Sequence, residues 1–255
     1  MTLVELDEYF RSFLKMDDFY GDPSQNGIQV QNGNPCEKQI NKVAFAVDAC
    51  QETISKAAKE GAGLLFVHHG IFWSSSQTLT GNHFYRTKEL LDKDMALYAC
   101  HLPLDANEVV GNNFGLAKRL GLENVVPFGE WRGMTIGVAG DLPEAMNVEQ
   151  IASKVLSVEE KPLHILPFGK RQIKTVAIIS GGAGDDVQQA IEAGYDAFIT
   201  GEIGHEQYHL AQEGKINVIA GGHYQTETVG VCLVMEKLAR EKNLQTVFID
   251  VPTGL

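Results

Sequence analysis

Two adjacent histidines, His68 and His69, close the apolar run "LLFVHHG". Imidazole nitrogens bind divalent metals and carry protons near neutral pH. On an extended strand neighbouring side chains point to opposite faces, so the two rings are expected to hold different ions rather than grip one together. His223 and Glu227, in "AGGHYQTETVG", form a second candidate set. A helix beginning near Gln225 or Thr226 would bring both to one side of a turn. His101 and Asp105, in "CHLPLDAN", repeat the His-x-x-x-acid spacing. Nitrogen and oxygen donors without thiolate suit zinc, iron or manganese, with magnesium also admissible.

Each feature alone has an ordinary structural explanation. Surface helices often carry His and Glu four residues apart, and a histidine after a strand often satisfies a backbone group. Three such clusters, each following an apolar strand, favour a metal centre. His68, His69, Asp105, His223 and Glu227 make five side-chain ligands, with His101 a further one, whereas two octahedral ions offer on the order of twelve positions. The remainder would fall to water or substrate, the pattern of a catalytic site rather than a closed structural one. Two divalent ions also outweigh two carboxylates, so an anionic ligand such as phosphate would complete the balance. Paired ions lower the pKa of bound water and clamp both oxygens of a displacement, which points to hydrolysis of a small phosphate-bearing or nucleotide-like molecule.

The elements that must position these residues read as α/β. Helix 3–14, a short strand at 27–31, strand "KVAFAVDA", helix "ETISKAAKEGA" and strand "LLFVHHG" are followed, beyond residue 130, by the same order: "NVEQIASKVLSV", "LHILPFG", "KTVAIIS", "DDVQQAIEAGY", "DAFITGEIG". Setting Val43 on Val176 carries His69 onto Glu202 without a gap, and His101 and Asp105 fall where His223 and Glu227 lie. The chain therefore reads as two similar lobes from an internal duplication, 1–126 and 127–255. Each is expected to form a mixed sheet covered by helices, with the metal site in the cleft between them, beyond the carboxyl ends of strands.

Composition excludes several classes. The 255 residues carry a net charge of −12, against general affinity for nucleic-acid backbones or anionic membranes. Hydrophobic and charged contents of 44% and 21% are those of a globular chain. The four cysteines are scattered without C-x-x-C spacing, and neither a basic leader nor a long apolar span is visible, so a reducing cytoplasm is the expected location.

"DPSQNGIQV", "FVHHG", "HLPLDAN", "GNN", "SGGAGDD", "TGEIGHE" and "AGGHYQTE", in this order, closely resemble the Nif-three-like dinuclear metal-centre proteins, also called GTP cyclohydrolase 1 type 2 homologues. The resemblance covers essentially the whole chain, in a short form without an inserted middle domain. It implies a two-lobed protomer with two metals held by His68, His69, Asp105, His223 and Glu227, with His101 beside them as a further ligand or proton carrier. It also implies a homo-oligomer, a ring-shaped hexamer, and water attack on C8 of guanine with formate release. Gly70 departs from the pattern, standing where many relatives have proline. A metal-handling or regulatory binding protein without turnover is the alternative reading.

Glu202, His205 and His209 in "TGEIGHEQYH" add candidates: Glu202 or His205 would serve as general base or acid, although a solvated helix start accounts equally well for the histidines. "IISGGAGDDVQQA" lacks the spacing and lysine of a phosphate loop and reads as a tight turn with an acidic helix cap. Cys100 reads as a small buried residue, and the stretch 74–90 as a loop that could hold Arg86 or Lys88 against an anionic substrate.

Overall fold

The computed structural model describes residues 1–156 and 160–255. Helix α1 (Leu3–Leu14) starts in a capping box, in which the Thr2 hydroxyl accepts from the Glu5 N–H and the Glu5 carboxylate accepts from the Thr2 N–H. Leu3, Leu6, Phe10 and Leu14 form its buried stripe. Strands β1 (Gly27–Val30) and β2 (Lys42–Asp48), helix α2 (Gln51–Lys59), strand β3 (Leu64–His69), helix α3 (Gly81–Asp92) and strand β4 (Ala96–Ala99) follow. The one-turn helix α4 (Leu102–Asp105) and α5 (Asn112–Leu120) lead into the hairpin of β5 (Glu123–Trp131) and β6 (Met134–Met146). Then come α6 (Val148–Val155), β7 (His164–Pro167), β8 (Ile173–Ile178), α7 (Val187–Glu192), β9 (Ala197–Thr200), α8 (His205–Gly214), β10 (Asn217–Ala220), α9 (His223–Lys242) and β11 (Gln245–Phe248). The last two residues of the helix expected over 147–158 lie outside the described residues.

The chain forms two compact units, Met1–Leu104 with Val231–Val251, and Asp105–Gly230 with Pro252–Leu255. The sequence boundary at 126/127 falls within β5, inside the second unit. In the first unit the strand order is β1-β4-β3-β2-β11, with β1 antiparallel to β4 and the others parallel. Alternate residues of β2 and β3 serve opposite faces. Phe45 and Phe66 join Phe10 and Tyr98 on one, with Phe10 and Phe66 rings 4.9 Å apart. Ala44, Ala46, Leu65 and Val67 meet Ile54, Ala57 and Leu90 on the other. Burial on both faces explains why these strands read as unbroken apolar runs.

The second unit has the order β5-β6-β8-β9-β10-β7. β8, β9 and β10 are parallel, while β7 pairs antiparallel with β10 and β6 with β8. The segments β1-β4-β3-β2 and β7-β10-β9-β8 thus share order and sense. Their registers agree as well: Val43 faces Leu64 in one and Val176 faces Ala197 in the other, as the gapless alignment requires. The chain is α/β, with two mixed sheets covered by helices. Among the described residues no helix is long and apolar enough to cross a membrane.

Two elements differ from expectation. Residues 81–90, read as part of a loop, belong to α3, which buries only Thr87 and Leu90 and so leaves a weak apolar period. Lys88 on this helix is ion-paired with Asp92. Strand β5 is not visible as an apolar run because it is mostly exposed along its length.

Candidate metal centre

In the first unit the site is built at the carboxyl ends of parallel strands. His68 is fully buried, and its Nδ1 lies 2.9 Å from the Cys100 carbonyl, just after the neighbouring strand β4. His69 Nδ1 lies 2.9 Å from Asp48 Oδ1, at the end of β2 on the other side. His101 Nδ1 donates to Asp22 Oδ1 at 2.8 Å. The Asp22 side chain is only 1% exposed and also accepts from the Ser24 and Leu102 N–H groups and the Asn26 amide. Burial alone would raise the Asp22 carboxyl, but these bonds and the His101 charge outweigh it and hold it below the usual range.

The two adjacent imidazoles do not diverge as the strand alternation predicts. Their ring centroids are 4.6 Å apart, and His68, His69 and His101 offer ligand atoms within 4.8 Å of one another. Each ring is turned by its own oxygen acceptor on a flanking strand. Trp73 closes one side, its ring 5.2 Å from that of His101 and 6.2 Å from that of His69.

In the second unit the donors are mainly carboxylates. Asp105 is buried, and its Oδ1 accepts from Asn112 Nδ2 at 2.8 Å and Ser180 Oγ at 3.0 Å. Glu227 is buried, with a ligand oxygen within 4.8 Å of one from Asp105. Helix α9 begins at His223, earlier than expected, which places Glu227 one turn on, with Oε1 3.2 Å from His223 Nε2. His223 Nδ1 lies 2.5 Å from Glu202 Oε1. Burial pulls the His223 imidazole down, but the hydrogen bonds and charges of Glu227 and Glu202 prevail and push it up to about 9. Gly181 is required here: its φ is +69°, and a Cβ would come within 2.2 Å of Glu227 Oε1.

One feature recurs across all four histidines. Nδ1 of each faces an oxygen acceptor and so carries a proton, which leaves Nε2 as the nitrogen that could bind a metal. With the acids Asp105 and Glu227, the donor set fits a borderline divalent ion. These groups could hold a metal.

His205, expected near the chemistry, is exposed at the start of α8; its ring meets that of His209 at 6.5 Å and enters no donor group among the described residues. The acidic cap expected at 185–186 differs in detail. Asp186 makes no cap bond to α7; it accepts from Gln189, and Asp185 accepts from Gln207. Cys100 is fully buried, as expected. Asp22, Asp48, Ser180 and Trp73 escaped sequence reasoning. Asp22 lies in "DPSQNGIQV" but 79 residues from His101, a distance that local spacing does not bridge.

Comparison with known proteins agrees with this architecture. The family model described as Duf34/NIF3 (NGG1p interacting factor 3) matches residues 1–254. The chain is 45% identical to a GTP cyclohydrolase 1 type 2 homolog of Treponema pallidum and 40% to one of Archaeoglobus fulgidus, over the full length of both chains in each case. Among solved structures it resembles TTHA1606 of Thermus thermophilus, with TM-score 0.89 and 36% identity over all of both chains. Reduced HcgD of Methanocaldococcus jannaschii is similar at TM-score 0.85 and 27% identity over 98% of each.

Proposed function

This chain is a member of the Duf34/NIF3 family, and on that premise we propose that it is a metal-dependent hydrolase acting on a small anionic or nucleotide-like substrate. Two divalent ions would be held by His68, His69, Asp105, His223 and Glu227. The observation that carries the reading is the oxygen acceptor behind Nδ1 of His68, His69, His101 and His223, the arrangement that orients metal-ligating histidines.

When bound, the ions would supply Lewis acidity and an activated water. The protein's own groups do the rest. Asp22 fixes the His101 tautomer, leaving Nε2 able to take or return a proton. Glu202 holds the His223 ring by Nδ1 and presents a half-exposed carboxylate, so we assign proton transfer to His101 and Glu202 ahead of His205. Asn112 and Ser180 hold Asp105 in place from buried positions. Assembly as a homohexameric ring belongs to the same proposal.

Incubating the metal-loaded protein with GTP and a panel of phosphorylated metabolites tests it. Formate release or phosphate-ester cleavage that disappears in His101→Ala is the expected result. Saturable metal transfer to an acceptor with no product from any substrate would instead favour a metal-handling protein.

A further inference from the structure

A pocket of about 580 Å³ opens on the first unit, and its Trp73 wall also packs against His69 and His101. Gln25, Ile28, Gln29, Phe72, Trp73 and residues 74–77, three serines and a glutamine, line it. None of these side chains is charged, in a molecule with 21% charged residues and a net charge of −12. The volume is that of a small-molecule site.

The Trp73 wall is held rigidly. The Gln29 amide spends all its capacity on the loop: Oε1 accepts from the Ile71 and Phe72 N–H groups, and Nε2 donates to the Gln25 and Phe72 carbonyls. Gln25 N–H donates to the Phe72 carbonyl at 3.1 Å, and Trp73 Nε1 donates to the Gly70 carbonyl at 3.2 Å. Gly70 makes room for this clamp, since a Cβ there would fall within 2.5 Å of the Gln29 amide atoms. The departure from proline at this position thus has a local reason.

We infer that this cavity is a specificity pocket for a neutral, planar nitrogen heterocycle, the nucleobase-like part of a ligand whose reacting part reaches His69 and His101. The inference rests on the function proposed above for the neighbouring histidines. A free anion would find no cation in the lining, and a purely aliphatic group would leave the amides and hydroxyls of residues 74–77 without exchange for water. An aromatic heterocycle uses both features, stacking on the indole and hydrogen-bonding to neutral side chains.

Guanosine, which carries no phosphate, is the probe, applied to chelator-treated full-length protein and followed by saturation-transfer NMR. Transfer should be strongest at the base proton H8, and weaken about fivefold or more in Trp73→Ala, in keeping with stacking energies of about 1–3 kcal/mol per base. Trp73→Phe keeps a ring and should retain most of the transfer, which separates loss of stacking from loss of the loop. No transfer in the parent, equal transfer in Trp73→Ala, transfer strongest on the ribose, or equal competition by methyl riboside would each overturn the pocket. Metal uptake, measured on parallel samples of the same protein reloaded with metal after chelation, keeps the two ideas apart. Guanosine binding by a protein that takes up no metal would retain the pocket and sink the hydrolase alone.

Discussion

In the first unit β2 ends in Asp48 and β3 in His69, cross-strand partners whose side chains hydrogen-bond at 2.9 Å. At the aligned positions the second unit has Gly181 and Glu202. The carboxylate has moved across to the neighbouring strand's end, and it accepts from His223 instead of from a histidine beside it. Glu227 takes the space that a side chain at Gly181 would need. What both units preserve is an oxygen acceptor behind each imidazole, not a residue type at a fixed place. The first set is three imidazoles. The second unit contributes two buried acids, Asp105 and Glu227, and, without metal, keeps a proton between His223 and Glu227.

Gly181→Ala strikes this difference hardest. It combines a left-handed backbone with an overpacked carboxylate and should cost about 2–5 kcal/mol in denaturant unfolding, with displacement of Glu227 and loss of metal. Asp48→Ala, at the aligned position of the other unit, should leave folding nearly intact and lower metal affinity about 10–100-fold by releasing His69. Equal unfolding penalties for the two variants would break the comparison.

Acidity separates the two sets further. His223 is protonated below about 9, so metal must expel that proton. Apparent affinity for the ion that takes His223 should therefore rise by about tenfold per pH unit from neutrality to about 9, then level. Calorimetry in buffers of different ionisation enthalpy would register the released proton; a flat affinity across that range would refute the assignment.

The smallest effect is expected at the opposite end of the second sheet. Asp196 aligns with Gly63 and accepts from the Lys174 and Thr175 N–H groups and from Lys170. Burial pushes its carboxyl up, but these bonds prevail and hold it below the usual range. A depressed folded value means stabilisation fully present above the ordinary carboxylate value near 3.9 and lost as pH falls below it through the lower folded value. Asp196→Asn should cost about 1–3 kcal/mol at neutral pH and flatten the acid side of the stability curve.

Strands buried on both faces announced themselves as apolar runs, which is why β2, β3, β8 and β9 and their shared register were legible from residue pattern. The mostly exposed strand β5 carried no such signal. The ligand candidates stood out because local spacing repeats, His101 to Asp105 and His223 to Glu227. Their supports did not, because Asp22, Asp48 and Ser180 reach their partners across 79, 21 and 75 residues. The approach of His68 to His69 likewise depends on acceptors drawn from two flanking strands, which alternation along one strand does not contain.

Metal content per chain tests the central claim most directly, by elemental mass spectrometry on anaerobically purified protein with His68→Ala and His69→Ala alongside. About two ions in the parent and about one fewer in each variant is the predicted result. A parent with no bound metal on repeated loading, or variants that retain the parent's full content, would contradict it.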